Sequence, residues 1–345
     1  MFTLLLTAFL LCARSAQAYS KPPSGAITVG SSGTYSTLSE ALDDTSSDVY
    51  FVYAGTYQEQ VYIDRSDIQI YGETTTDDSY TDNTVTISYG LGASEAGSND
   101  ASGTVRVHGE NVALYNLNIE NSFGKVGRSI LTSERDHDPD YCSRAYVLVV
   151  CSVLRILKPD EMKEQAIALS VQATDFGGYG LSIVGYQDTL LANVGYEFIA
   201  NSYIEGNTDF IFGQRASLWI TGSVIKTLGD GWITASGRSS DDDFWYVIDN
   251  CEITGAGDAY LGRPWRDYAR VVFQNSVLGS NVPSEGWSIW NVGDERTDEV
   301  TFAEYGNTGD GVDTSGRANF SEVLDSAVDI STVLGSTSWI DASFL

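Results

Sequence analysis

Short stretches in which polar and apolar residues alternate recur along most of the chain, with a Gly or an Asn at their ends. Residues 116–121, 180–185, 201–206 and 250–255 are four of them. Alternation predicts half-buried β-strands, and the closing Gly or Asn predicts a turn. Apolar residues at the centres of such stretches recur every 20 to 29 residues. These residues are Ile183, Ile204, Val224, Ile253 and Val277.

This interval favours an all-β fold, a single parallel β-solenoid in which each coil buries its inward face on its neighbours. The alternative is a β-sandwich. A sandwich should show turn signals every ~8–12 residues, and Asn-Gly hairpin turns are scarce in this chain. We expect little helix apart from residues 35–42, which can form a short amphipathic cap over the first coil.

One segment departs from the pattern. Residues 126–163 hold 6 of the 18 basic residues that follow residue 18, together with two of the four cysteines, Cys142 and Cys151. Such a shift in composition indicates either an inserted surface loop or sequence that was not selected as protein. We favour the second hypothesis, a retained intron or gene-model error, because Val codons begin with GT and a Lys codon can end in AG.

Residues 4–13 are almost wholly apolar and precede the small-residue pattern Ala16-Gln17-Ala18. This predicts a signal peptide over residues 1–18, a mature domain over residues 19–345 and a secreted, extracellular protein. The mature chain carries a formal charge of −29, which argues against a nucleic-acid partner.

No later apolar stretch reaches the roughly 20 residues that span a bilayer, so no membrane association is predicted. Two His and three Cys in the mature chain show no ligand spacing, so no metal site is predicted. No separate interaction module is visible in the sequence, and we therefore expect a monomer.

Two aspartates, Asp188 and Asp209, lie 21 residues apart, and Gln165 and Gln187 lie 22 apart. If one coil takes about 21 residues, these side chains stack on successive coils at the ~4.8 Å spacing of neighbouring strands. Arg263 follows Asp209 by 54 residues, about two further coils, and can orient one carboxylate.

Two carboxyl groups at such close range cannot both ionise freely, so one tends to hold a proton while the other stays anionic. That supplies an acid and a nucleophile, and two nearby amides can stabilise a developing oxyanion. Inward polar ladders of the same residue types also hold solenoid turns together, however. Carboxyl groups ~5 Å apart suit a retaining glycosidase as well, so the spacing alone leaves the role and the reaction open.

Five motifs resemble, in this order, those of the pectin methylesterases or pectinesterases, in the style of the fungal secreted members. The resemblance runs from about Ala26 to Phe320 and implies a right-handed parallel β-helix. It also implies hydrolysis of the methyl esters of galacturonate units in pectin, that is methylesterified homogalacturonan, with release of methanol and without a cofactor. The motifs are Gly55-Thr56-Tyr57-Gln58-Glu59, Gln165-Ala166-Ile167-Ala168-Leu169, Gly185-Tyr186-Gln187-Asp188-Thr189-Leu190, Asp209-Phe210-Ile211-Phe212-Gly213 and Leu261-Gly262-Arg263-Pro264-Trp265.

The resemblance implies that Asp209 is the nucleophile and Asp188 the general acid that protonates departing methanol and then acts as base toward water. It implies Gln165 and Gln187 as oxyanion-stabilising residues and Arg263 as the partner that fixes Asp209. Three aromatic residues resemble the family's lining for the sugar chain, where flat rings cover apolar sugar faces. They are Trp265, Phe212 and Tyr186.

Two other pectin-degrading classes share the solenoid fold. The sequence Asn207-Thr208-Asp209 echoes part of a polygalacturonase pattern, but the other motifs of that family have no matching set here. A pectate lyase needs an acidic calcium site, and the acidic clusters at residues 134–138 and 241–243 lie outside the proposed constellation. A third alternative is a catalytically silent pectin-binding solenoid, because the segment 126–163 ends directly beside an oxyanion donor.

The intron hypothesis predicts that the mature transcript, sequenced across the codons for Lys125 to Gln165, lacks the codons for residues 126–163. A spliced message that encodes all 38 residues would overturn it and would make the segment an inserted loop of the protein.

Overall fold

The computed structural model describes residues 19–123, 164–312 and 315–345. The predicted signal peptide and the anomalous segment 126–163 lie outside these ranges. Within them the chain forms 24 strands: β1 Ile27–Val29, β2 Val49–Val52, β3 Gly55–Tyr57, β4 Val61–Ile63, β5 Gln69–Gly72, β6 Val85–Tyr89, β7 Val105–Val107, β8 Ala113–Tyr115, β9 Leu117–Asn121, β10 Leu169–Val171, β11 Phe176–Tyr179, β12 Ser182–Val184, β13 Leu190–Ala192, β14 Val194–Ala200, β15 Tyr203–Gly213, β16 Arg215–Thr221, β17 Val224–Ser236, β18 Tyr246–Asp249, β19 Glu252–Ala256, β20 Ala259–Pro264, β21 Arg270–Gln274, β22 Val277–Leu278, β23 Thr301–Tyr305 and β24 Ser321–Val323.

The helices of the described ranges are short. The predicted cap is present as α1, Leu38–Leu42, and begins at Thr37, whose side chain accepts a hydrogen bond from the Glu40 N–H. Helix also occurs beyond the first coil, contrary to expectation. It comprises α2, Ala93–Ala96, α3, Ile330–Leu334, and two 3-10 turns, Asp100–Ser102 and Ala342–Phe344.

All strand pairs are parallel and stack into three columns, which confirms the predicted parallel β-helix. Sheet A runs β1-β2-β5-β8-β11-β14-β16-β18-β21-β23-β24. Sheet B runs β3-β6-β9-β12 and sheet C runs β4-β7-β10-β13. The two columns join where the long strands β15 and β17 belong to both, and they end at β22 and β20 respectively.

The predicted repeat is correct at Ile183, Ile204 and Ile253 but one residue wrong at two places. Ile183 pairs with Ile204, which pairs with Ile225, then Ile253 and Leu278. The predicted Val224 and Val277 are the residues just before, and Val277 is 49% exposed. Adjacent strand residues point to opposite faces, so a shift of one position exchanges core for surface.

A left-handed residue stands at one corner of seven successive coils, directly after strands β8, β11, β14, β16, β18, β21 and β23. Only Asn and Gly occupy this corner, because they tolerate positive φ best. These residues open the alternating stretches rather than close them, which locates the sharp turn between sheets A and B. They are Asn116, Gly180, Asn201, Gly222, Asn250, Asn275 and Gly306.

The outer face of sheet A carries a ladder of aromatic rings that both ends of the described chain cover. Tyr71 stacks on Tyr115 at 4.4 Å between ring centroids, and Tyr115 stacks on Tyr179 at 4.7 Å. Tyr19 packs on Tyr71 from one end of the chain, and Phe344 packs on Tyr179 from the other, both within 4.6 Å. The ladder is thereby removed from water.

Connection lengths show at which corner of the β-helix the anomalous segment interrupts the sequence of described strands. Ile183 precedes Leu190 by seven residues, whereas their counterparts one coil earlier, Ile119 and Leu169, are fifty residues apart. Removing residues 126–163 would leave twelve residues at that corner. Twelve lies between the seven residues of the next coil and the eighteen that separate Ile87 from Val105 in the coil before.

A carboxyl group lies within the solenoid core. Glu197 pairs in register with Phe176 and Leu218, is fully buried, and burial raises its pKa well above the usual range. The folded state therefore retains a proton that the unfolded chain releases above about pH 4.3. The contribution of the Glu197 carboxyl to the free energy of unfolding is fully present below that pH and is lost as the pH rises toward the raised pKa.

We expect Glu197→Gln to unfold at a melting temperature that falls less between pH 5 and pH 8 than that of the parent. The amide carries no proton to lose and forms no buried charge. Thermal unfolding followed by circular dichroism measures this, with Glu322→Gln on the exposed surface of β24 as the matched control. Equal pH slopes in the parent and Glu197→Gln would show that the Glu197 carboxyl does not contribute.

Candidate active site

A cavity of about 280 Å³ opens on the outer face of sheet C at the coils of β13, β15, β17 and β20. It contains seven of the eight residues predicted for the site, and it is lined by Asn99, Gln165, Gln187, Asp188, Asp209, Phe212, Ala235, Arg263, Trp265 and Trp290. The eighth, Tyr186, is half-buried beside Gln187 and does not line the cavity. Its proposed contact with substrate stays a prediction.

The two aspartates lie at the same corner of adjacent coils, as the 21-residue spacing predicts. The Asp188 N–H donates to the Thr208 carbonyl, and Leu190 pairs with Ile211 in the following strand pair. Both aspartates have left-handed backbone, with φ of 62° for Asp188 and 49° for Asp209. At Asp209 the register of β15 against β17 also shifts, and such a bulge redirects a side chain.

Arg263 forms a bidentate ion pair with Asp209. Its Nε donates to Oδ1 at 2.8 Å and its Nη2 donates to Oδ2 at 2.7 Å. Two tryptophans enclose the guanidinium, with Trp232 at 3.7 Å and Trp290 at 4.4 Å from Cζ to ring centroid. The planar cation is thereby held in one orientation by stacking and by hydrogen bonds.

The two carboxyl groups are buried to a similar degree but differ in their partners. Burial raises the pKa of Asp188 well above its usual range, and the negative charge of Asp209 raises it further. Burial also raises the pKa of Asp209, but the two hydrogen bonds and the charge of Arg263 oppose that rise. As pH increases, Asp209 therefore loses its proton first, which leaves Asp188 as an acid beside a carboxylate.

Four residues at the site were not found from the sequence: Asn99, Trp232, Ala235 and Trp290. Asn99 donates from Nδ2 to Asp188 Oδ2 at 3.5 Å, and Trp232 and Trp290 enclose Arg263. Trp232 pairs in register with Thr208, directly before the predicted nucleophile, so its coil position was a usable signal. Asn99 and Trp290 come from connections outside the repeat, where spacing gives no signal.

An apolar wall borders the carboxyl groups. Phe212, Leu191 and Ala235 are buried with Ile167 in a small cluster on the outer face of sheet C, and Trp265 packs against it. The rings of Phe212 and Trp265 lie 6.0 Å apart between centroids. A Cβ at Gly237 would collide with the Trp265 ring, so this position requires glycine.

Comparison with known proteins identifies the family. The pectinesterase family model matches residues 158–334, about half of the chain. "Probable pectinesterase A" of Neosartorya fischeri is 40% identical over 339 residues, which cover 94% of this chain and 91% of that protein. The pectinesterase of Aspergillus aculeatus is 38% identical, with 99% of both chains covered. The chain belongs to the pectinesterase family.

The match extends to a solved structure. The crystal structure of the pectin methylesterase from Aspergillus niger superposes with a TM-score of 0.80 at 38% identity, and it covers 96% of this chain and 100% of that one. Membership makes the chain a carboxylic ester hydrolase, and the activity of the family is hydrolysis of pectin methyl esters. The cavity described above brings together two carboxyl groups with unequal pKa shifts, and ester hydrolysis can use such a pair.

Replacing Arg263 with Lys should move the acidic limb of the pH profile of kcat/KM to higher pH and lower kcat/KM roughly 10- to 100-fold. A lysine cannot make the bidentate pair, so the pKa of Asp209 rises and less carboxylate is present at low pH. Initial rates of methanol release between pH 3 and pH 8 measure both effects.

The matched control is Arg270→Lys. Arg270 pairs with Asp241 and stacks on Trp245 at 4.4 Å, is similarly buried, and lies outside the cavity. An acidic limb that stays in place in Arg263→Lys would show that Arg263 does not set the charge of Asp209.

Proposed function

We propose that Asp209 attacks the carbonyl carbon of a methyl-esterified galacturonate unit. The carbonyl electrons move to oxygen, and the side-chain amides of Gln165 and Gln187 donate hydrogen bonds to that oxyanion. Collapse of the tetrahedral intermediate breaks the bond to the methoxy group, and Asp188 gives its proton to the departing methanol. An acyl-enzyme on Asp209 remains.

In the second half of the reaction Asp188, now a carboxylate, takes a proton from water as that water attacks the acyl carbon. The bond between the acyl carbon and Asp209 breaks, which frees the galacturonate carboxyl group and regenerates the Asp209 carboxylate. Asp188 is protonated again and ready for the next ester. One group thus acts as acid and then as base.

The observation that carries this proposal is the unequal environment of two stacked aspartates. Asp188 has burial and a neighbouring anion, both of which keep it protonated, whereas Asp209 has a bidentate arginine. These unequal environments support Asp209 as the nucleophile and Asp188 as the acid, in addition to their positions in the motifs.

Methylesterified homogalacturonan is the proposed substrate. Trp265 and Phe212 present ring surface at the cavity, which suits the apolar faces of a sugar chain. We also propose that the protein is secreted after loss of residues 1–18 and acts as a monomer, without a nucleic-acid or membrane partner. Among the helices in the described ranges, none is long and apolar enough to cross a bilayer.

We further propose that residues 126–163 are not required for activity. Gln165 lies two residues beyond the segment and lines the cavity. A segment that displaced this part of the chain would therefore displace a proposed oxyanion donor. The shorter chain retains a corner of ordinary length, as the connection lengths indicate.

Methanol release from highly methylated pectin tests the function. Four chains are compared: residues 19–345, the same chain without residues 126–163, and that shorter chain with Asp209→Asn or with Asp258→Asn, an exposed residue outside the cavity. We expect the shorter chain to be at least as active as the full one, and Asp209→Asn to lose ~10³-fold or more while Asp258→Asn stays unchanged.

Other products would identify the rival classes. Unsaturated products would indicate a lyase, new reducing ends a polygalacturonase, and pectin binding without methanol a silent binding module. Asp209→Asn with full activity would overturn the assignment of the nucleophile.

A further inference from the structure

A tight hairpin over residues 290–296, here called the wall hairpin, forms one side of the cavity. The Trp290 N–H donates to the Glu295 carbonyl at 3.1 Å, and Asn291 and Asp294 exchange two backbone hydrogen bonds of the same length. Gly293 has a φ of 84°, as the turn requires. The hairpin presents the Trp290 ring to Arg263.

Arg296 ends the wall hairpin and has no contact with the cavity itself. Its Nη2 and Nε donate to the Asp294 carboxylate at 2.6 and 3.0 Å, and its Nη1 donates to the carbonyl of Trp265. Its guanidinium lies 5.0 Å from the centroid of the Trp290 ring. One side chain thus holds the ring of one cavity residue and the backbone of another.

Four side chains form a column in which rings and cations alternate: Trp232, Arg263, Trp290 and Arg296. The distances from cation to ring centroid are 3.7, 4.4 and 5.0 Å along it. Trp290 therefore contacts two guanidinium groups, and both attractions hold its ring in place. Asp294 pairs with Arg296, which reduces the repulsion between the two cations at the ring.

Backbone conformation supports a dedicated role for Arg296. Its φ of 58° lies in the left-handed region, which a long side chain occupies only at a cost that its other contacts offset. Most other non-glycine residues with this conformation in the described ranges are Asn or Asp, including both catalytic candidates.

We propose that Arg296 is a positioning residue that fixes Trp290 against Arg263 and anchors Trp265, so that the wall hairpin sets how the cavity holds the methylesterified sugar. The inference rests on the proposed function and extends it to a residue outside the cavity. Asp294 acts with Arg296 as its counter-ion. Because Trp290 encloses Arg263, a displaced ring also loosens the arginine that orients Asp209.

Three variants of the chain without residues 126–163 test the proposal: Arg296→Gln, Arg296→Lys and Asp294→Asn. The control is Arg65→Gln at the other end of the solenoid. Arg65 pairs with Asp48 at 2.8 Å, stacks on Tyr50 at 5.7 Å and donates to backbone carbonyls, with similar exposure, 19% against 22%. It therefore loses the same kinds of contact far from the cavity.

The measurements are kcat and KM for methanol release, the dissociation constant for a methylesterified hexagalacturonate by calorimetry, and the melting temperature. We expect Arg296→Gln to lower kcat/KM and to weaken binding by about 3- to 30-fold, the range of one lost cation–π contact and its bonds. Arg296→Lys should fall between Arg296→Gln and the parent, because it keeps the cation but not the planar fork. Asp294→Asn should also lower kcat/KM and weaken binding, by a smaller factor.

The acidic limb of the pH profile gives a second readout. The charged groups that face Asp209 are Arg263 and Asp188, and a loosened Arg263 should shift the limb of Arg296→Gln to higher pH. Arg65→Gln should change only the melting temperature. The positioning role would be overturned if Arg296→Gln had the same kinetic constants, the same dissociation constant and the same acidic limb as Arg65→Gln.

The two proposals fail in different ways. A parent chain that binds the oligosaccharide but releases no methanol would contradict the proposed function, while the binding constants would still decide the role of Arg296. If the parent releases methanol and Arg296→Gln has the same rate and the same dissociation constant as the parent, the positioning role alone is contradicted.

Discussion

The ion pair between Asp209 and Arg263 is the contact on which the whole site depends, because it makes two otherwise similar buried aspartates chemically different. It also bridges three strand layers of the solenoid, since Asp209 lies in β15 and Arg263 lies in β20, with β17 between them. Stacking of parallel coils therefore has to be correct over three layers before the pair can form. Fold and charge state are linked through that register.

One corner of the β-helix supplies successive parts of the site. Gln165, then Gln187 and Asp188, then Asp209 leave the same corner of adjacent coils. The strands that flank this corner pair regularly and tolerate a long connection there. The free-energy cost of closing a loop rises only with the logarithm of its length. The segment 126–163 belongs to a connection at this corner and ends two residues before Gln165, which lines the cavity.

The sequence predicted the strand columns and the aspartate pair, because both follow from a period of about 21 residues. It predicted the first helix from the amphipathic pattern of residues 35–42. It misplaced Val224 and Val277 by one residue, because each begins a strand and is followed directly by a second apolar residue, Ile225 or Leu278, so that alternation does not distinguish them. It could not predict Asn99 or Trp290, because connections of irregular length deliver them. The sequence also predicted one protonated and one anionic aspartate with Arg263 as a partner, whereas the burial that raises the pKa of both needed the three-dimensional structure.

The aromatic ladder on sheet A has a consequence for biosynthesis. Its rings are synthesised from the early coils onward. The residues that shield them from water are Tyr19 at one end of the described chain and residues 330–345 at the other. During translation the nascent solenoid therefore displays a stripe of tyrosines until residues 330–345 have left the ribosome. Folding factors that recognise exposed aromatic surface would meet this protein early and release it only when its final turns have docked.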